Sequence, residues 1–266
     1  MADRDKWFCY LHLGDPHAPI DIPDEHRDTF DVPQIDGVAD WRYREKTDID
    51  DAYRDARIRA YDAAIRGVND ALAGLLADLD DDTIIVICGD HGEAFWEHPT
   101  LERELNDGPR GYYATDHGHS VLEEVARVPL WVRAPNIKWD RYEYPVSLVD
   151  VAPTVLQALG ADVPDGVAGR SIEDQSPDRA LLCEELAYGY NQRAVWRGDR
   201  KAIAVPENDT VLAFSLDEYL EEEPLEAVPV DLEDALTSFG TGVEGADRMA
   251  VGAETRDRLE ELGYLE

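Results

Sequence analysis

The chain has 266 residues, with 59 Asp and Glu against 25 Lys and Arg and a formal net charge of -34. Such a surface repels phosphate backbones, which excludes nucleic acid and anionic membranes as partners, and 44% hydrophobic residues with six Trp and twelve Tyr exclude acidic disorder. The cations are nearly all Arg, the lysines being Lys6, Lys46, Lys138 and Lys201; an Asp-rich, Lys-poor surface suits a high-salt cytoplasm that screens self-repulsion, and points to a halophilic source.

In chain order, the apolar run 6–13 (KWFCYLHL) reads as a buried strand, and Asp15-Pro16-His17-Ala18-Pro19 as a loop set by its prolines. Residues 20–47 look irregular. From 50 to 80, Ile58, Tyr61, Ile65, Val68, Leu72, Leu75, Leu76 and Leu79 recur at helical steps and predict one buried helix face. Residues 83–88 (TIIVIC) are apolar on both faces, as a central parallel strand should be. A polar loop is expected over 97–120, a helical turn over 122–126 and a strand over 128–133. Ser147 and Asp150 form a capping-box pair for a helix whose face is Leu148, Val151, Val155, Leu156 and Leu159. Strands follow over 180–183, 193–197, 201–205 and 211–214, then an acidic tract over 218–226 and a helix over 254–262. This order argues an α/β layer with a small α+β appendage: a core over 1–175 and a subdomain over 176–266. Cys9 and Cys88 read as buried hydrophobes, with no disulfide framework implied. No apolar signal region or membrane-length apolar stretch occurs, so a soluble, cytoplasmic protein is expected.

All seven histidines lie in the first 119 residues. Asp90-His91 directly follows an apolar strand, where open α/β folds place ligands, and both side chains can face one ion. The plainer alternative is that Asp90 caps a turn and His91 packs. Glu97-His98 and Asp116-His117-Gly118-His119 nearby favour the site. In an extended stretch His117 and His119 would point to the same side. His17, between prolines, is either a presented ligand or a surface loop residue. His12 reads as a core or wall residue and His26 as exposed. Glu123 with Glu124, and Glu184 with Glu185, read as solvated charge.

The segments DPHAP (15–19), TIIVICGDHGEAFWEH (83–98), HGHSVLEEVARVPLWVRAP (117–135), VSLVDVAPTVLQALGADVPDGVAGRSI (146–172), RAVWRGDRKAI (193–203) and RLEELGYL (258–265) together resemble the sulfatase family of the alkaline phosphatase superfamily. The resemblance implies an alkaline-phosphatase-like sandwich, here the C-terminal part of a mostly parallel sheet flanked by helices, from a haloarchaeon by its composition. It implies hydrolysis of a sulfate ester with Asp90 and His91 as metal ligands, His17 contacting the substrate, and His117 or His119 standing where the family often has a Lys that binds sulfate oxygens. The family's ion would be Ca²⁺, with Mn²⁺, Mg²⁺ or Zn²⁺ as alternatives; His91 is more typical of phosphate and phosphonate ester hydrolases. The family's paired N-terminal aspartates and its Cys- or Ser-x-Pro-x-Arg nucleophile segment have no match here, since Cys9, Cys88 and Cys183 all lack that context. The chain is thus expected to be the C-terminal part of a longer enzyme, weakly active or inactive alone. The alternative is a non-catalytic fragment whose sheet is completed by a homo-oligomer or a partner chain. The expected substrate is a small anionic ester.

Overall fold

A computed structural model describes residues 7–45, 49–106, 111–135, 137, 146–184, 186–217 and 222–239. The helix expected over 254–262 and residues 218–221 of the acidic tract lie outside them. The run 7–13 forms no strand: Trp7, Phe8, Tyr10, Leu11 and Leu13 are all exposed. An apolar run becomes an inner strand only when both faces are covered, and nothing among the described residues covers this one. Its Cys9 and His12 are therefore exposed rather than buried.

The chain then turns, with the His17 N–H donating to the Gly14 carbonyl at 3.0 Å. Ala18, Ile20 and Ile22 alternate into the interior, the period of an extended segment with one buried face. Helix α1 (Asp24–Thr29) and a 3-10 turn (Trp41–Glu45) order the region expected to be irregular. His26, expected to be exposed, is buried on α1 with its Nε2 3.2 Å from Asp70.

Helix α2 (Asp51–Ala77) is capped by Asp50, whose carboxylate accepts the Tyr53 N–H at 2.8 Å. Its buried face differs from the expected one. Tyr53, Ala56, Arg57, Ala60, Ala63 and Ala64 are buried against 18–22, whereas Ile65 and Leu75 are exposed. The alanine row lets the extended segment pack close, which a leucine row would prevent.

Strands β1 (Ile85–Cys88), β2 (Ala94–Phe95), β3 (Thr115–Asp116) and β4 (Leu130–Arg133) form two antiparallel pairs, β1 with β4 and β2 with β3. The parallel pairing expected of β1 does not occur among the described residues, and Cys88 at its end is exposed rather than buried. Between these strands lie α3 (Pro99–Leu105), in a stretch expected to be loop, and α4 (Glu123–Ala126). Ser147 and Asp150 make the expected capping box before α5 (Val151–Ala158), although Leu159 of its expected apolar face is exposed.

Strands β5 (Leu181–Glu184), β6 (Arg193–Arg197), β7 (Arg200–Val205), β8 (Thr210–Leu216) and β9 (Glu222–Pro224) form a five-stranded antiparallel meander. Side chains alternate between its faces. Val195, Ala202 and Ala213 meet Leu232 and Ala235 of α6 (Val230–Ser238). Ala194, Ile203, Val205 and Phe214 meet Leu105, Val121 and Leu122, so the loops after β1 rest on this sheet. No helix among the described residues is long and apolar enough to cross a membrane.

Candidate active site

β1 delivers Asp90, His91 and Glu93 at its C-terminal end. Gly92 between them has no side chain because a Cβ there would overlap the Glu124 carbonyl of α4; its N–H donates to the Val125 carbonyl at 2.8 Å. The loop is thereby pinned to α4. The His91 N–H donates to Asp90 Oδ1 at 3.0 Å. The His91 ring places Nδ1 2.8 Å from the Gly92 carbonyl and Nε2 3.7 Å from Asp90 Oδ1.

The β2–β3 pair brings His117 across. Its ring stacks on His91 with centroids 3.7 Å apart and planes 22° apart. Its Nδ1 lies 2.9 Å from Glu93 Oε2 and 3.2 Å from Asp116 Oδ1. Burial acts to lower the His117 pKa, but the Glu93 hydrogen bond and the Asp116 charge outweigh it and hold the imidazole above its ordinary value. His17 arrives from the other side, 5.4 Å from the His117 ring and edge-on to Trp41 at 5.5 Å. Burial, and then repulsion from His117, push its pKa down. Neighbouring imidazoles are thus driven in opposite directions, a pattern typical of functional sites.

Two arginines fix the carboxylates that flank His117. Arg57, buried on α2, donates to the Val38 carbonyl at 2.7 Å, lies 4.2 Å over the Tyr43 ring and reaches within 3.8 Å of Glu93 Oε1. Arg44 donates to Asp116 Oδ2 at 2.6 Å and 3.1 Å and sits 4.1 Å over the Trp41 ring. The Tyr112 hydroxyl also donates to Asp116, at 3.3 Å.

His119 does not join this group. Gly118 has φ +74° and Asp116 φ +79°, so the stretch is not extended and the two histidines diverge. His119 is 1% exposed and its Nε2 faces Glu102, 3.3 Å away. Glu102 also accepts the Ala114 N–H. The supposedly solvated pair is partly buried as well: Glu123 accepts from Trp196 Nε1 at 2.6 Å and from the buried Lys201 Nζ at 3.1 Å, and Glu124 lies 3.1 Å from His98 Nδ1.

Sequence reasoning named Asp90, His91, His17 and His117 but gave no role to Glu93, Arg57 or Arg44. The signals were present. Glu93 stands two residues after His91, and Arg57 is a charge set in the alanine row of α2. Ligand atoms of His91, Glu93 and His117 all lie within 4.8 Å of one another. Two imidazole nitrogens and a carboxylate oxygen suit a divalent ion, with a donor set closer to Zn²⁺ or Mn²⁺ than to the all-oxygen shell of Ca²⁺.

The sequence model of the Sulfatase family matches residues 1–161. The chain belongs to the sulfatase family. Arylsulfatase K of Canis lupus familiaris is 34% identical to this sulfatase-family chain over 122 residues, 43% of the chain and 20% of that protein. An endo-4-O-sulfatase of Bacteroides thetaiotaomicron is 25% identical over 177 residues, 63% of the chain and 32% of that protein. The chain thus spans a third or less of the length of these sulfatases. A phosphonate monoester hydrolase from Silicibacter pomeroyi superposes with a TM-score of 0.56 at 17% identity, over 84% of the chain and 48% of that structure. The sulfatase-family chain shares the alkaline-phosphatase-like fold of this neighbour.

Proposed function

We propose that the chain carries the ion-binding and oxygen-binding part of a metal-dependent hydrolase of sulfate monoesters. The observation that supports it is the meeting of His17, His91 and His117 beside Asp90, at the end of β1, in a chain of this family. Asp90 and His91 hold a divalent ion; when bound it supplies Lewis-acid neutralisation of the ester's charge. His117, flanked by Glu93 and Asp116, binds an anionic oxygen of the substrate through its ring N–H. His17, kept neutral by burial and by His117, hydrogen-bonds the leaving oxygen. Trp41 shields the His17 ring from solvent on one side. Of the two histidines expected for this role, His117 takes it, because His119 is buried. A phosphate or phosphonate ester is the second reading, favoured by the nitrogen donors of His91 and His117.

The test uses 4-nitrophenyl sulfate as the ligand, with a divalent ion present and the histidine ring resonances as readout. The rings of His17 and His117 are expected to shift with it, more than with 4-nitrophenyl phosphate, and turnover by this chain to be slow. Unperturbed rings overturn the proposal. A stronger response to the phosphate ester transfers it to the second reading.

A further inference from the structure

We infer that His91, Glu93 and His117 bind a divalent ion of the Zn²⁺ and Mn²⁺ class, with Glu93 and His117 as ligands in addition to His91. This rests on the reading that an ion sits beside Asp90 and His91, and extends the ligand set to Glu93 and His117. Three observations carry it.

The first is spacing. Ligands on a tetrahedral ion with bonds of about 2.1 Å stand about 3.4 Å apart, and Glu93 Oε2 and His117 Nδ1 are already within that, at 2.9 Å. The ligand atom of His91 lies within 4.8 Å of both. The ion takes the place of the proton now shared between Glu93 and His117. That proton leaves to solvent, and His117 keeps a proton on Nε2.

The second is the state of His91. Its Nδ1 is held at 2.8 Å by the Gly92 carbonyl, which puts the ring proton there. The lone pair is left on Nε2, which lies 3.7 Å from Asp90 Oδ1.

The third is the support around the ligands. Arg57 lies 3.8 Å from the other oxygen of Glu93, and the Gly92–Val125 hydrogen bond fixes the loop that carries both His91 and Glu93. Ligand groups oriented by such partners hold metals tightly. Calcium, which takes six to eight oxygens, gains little from two imidazoles.

The probe is Co²⁺, titrated into the full, chelator-stripped chain in concentrated NaCl to suppress loose binding to surface carboxylates. Visible absorption reports coordination and calorimetry reports affinity. A single Co²⁺ per chain is expected, displaced by Zn²⁺ and not by excess Ca²⁺. Glu93→Gln and His117→Ala are each expected to weaken binding about tenfold or more, with Glu93→Asp recovering part of it and near-UV circular dichroism confirming that each variant is folded. Displacement by Ca²⁺, or Co²⁺ affinity unchanged in both variants, overturns the inference. A chain that binds Co²⁺ in this way yet shows no ring shift with 4-nitrophenyl sulfate keeps the metal site and sinks the ester reading.

Discussion

His17 and His117 show how neighbours set an imidazole's charge. Burial acts on both; His117 has carboxylates at 2.9 Å and 3.2 Å that overcome it. In an NMR titration His17 is therefore expected to lose its proton below the ordinary imidazole value and His117 above it. His117→Ala should raise the His17 midpoint, since repulsion from His117 is the second cause of its depression; an unmoved midpoint would mean burial alone sets it. The consequences for stability run in opposite senses. The depressed His17 stabilises the fold above its ordinary value, an effect lost as pH falls through its lowered midpoint. The raised His117 stabilises below its ordinary value, an effect lost as pH climbs through its raised midpoint. The sequence shows which residues carry this chemistry, because polar groups after apolar strands are conspicuous. It does not show that Gly118 turns left-handed and sends His119 inward, since that depends on a packing partner, Glu102, with no signature of its own.

Among the elements, α2, α4 and β4 to β8 are legible, because hydrophobic period and turn chemistry act locally. The strand expected over 6–13 is not formed, because a continuous apolar run says only that cover is needed and not whether it is present. The buried face of α2 is misjudged for a related reason: apolar size marks the leucine side, while close approach of the segment 18–22 selects the alanine side. The start of α5 is tied down by Asp150, which is 0% exposed. Its carboxylate receives Arg179 at 2.6 Å and 3.0 Å and the N–H groups of Ser147 and Arg170 at 2.9 Å and 3.0 Å. Arg179→Ala leaves this buried charge without its counter-ion. A loss of about 3–5 kcal/mol is expected in urea unfolding; a loss below about 1 kcal/mol would place the pair among ordinary surface bridges.

Over the whole molecule the net charge of -34 sets the response to salt. Raising NaCl from about 0.1 M to about 1 M shortens the screening length from about 10 Å to about 3 Å. Self-repulsion then falls, and the thermal midpoint is expected to rise; a flat or falling midpoint would show that the acidic surface is already neutralised by internal pairing. The same molecule has an interior that crosses its length, with Leu105, Val121 and Leu122 packed into the five-stranded sheet. Residues 159–168, by contrast, are exposed throughout. A protease that nicks this run severs the backbone without severing the interior. The two pieces would stay clasped and migrate together until a denaturant parts them. Deleting the second piece would remove the floor on which the histidine-bearing loops stand and bare Leu105, Val121 and Leu122, so the sheet farthest from the chemistry in sequence serves as its foundation.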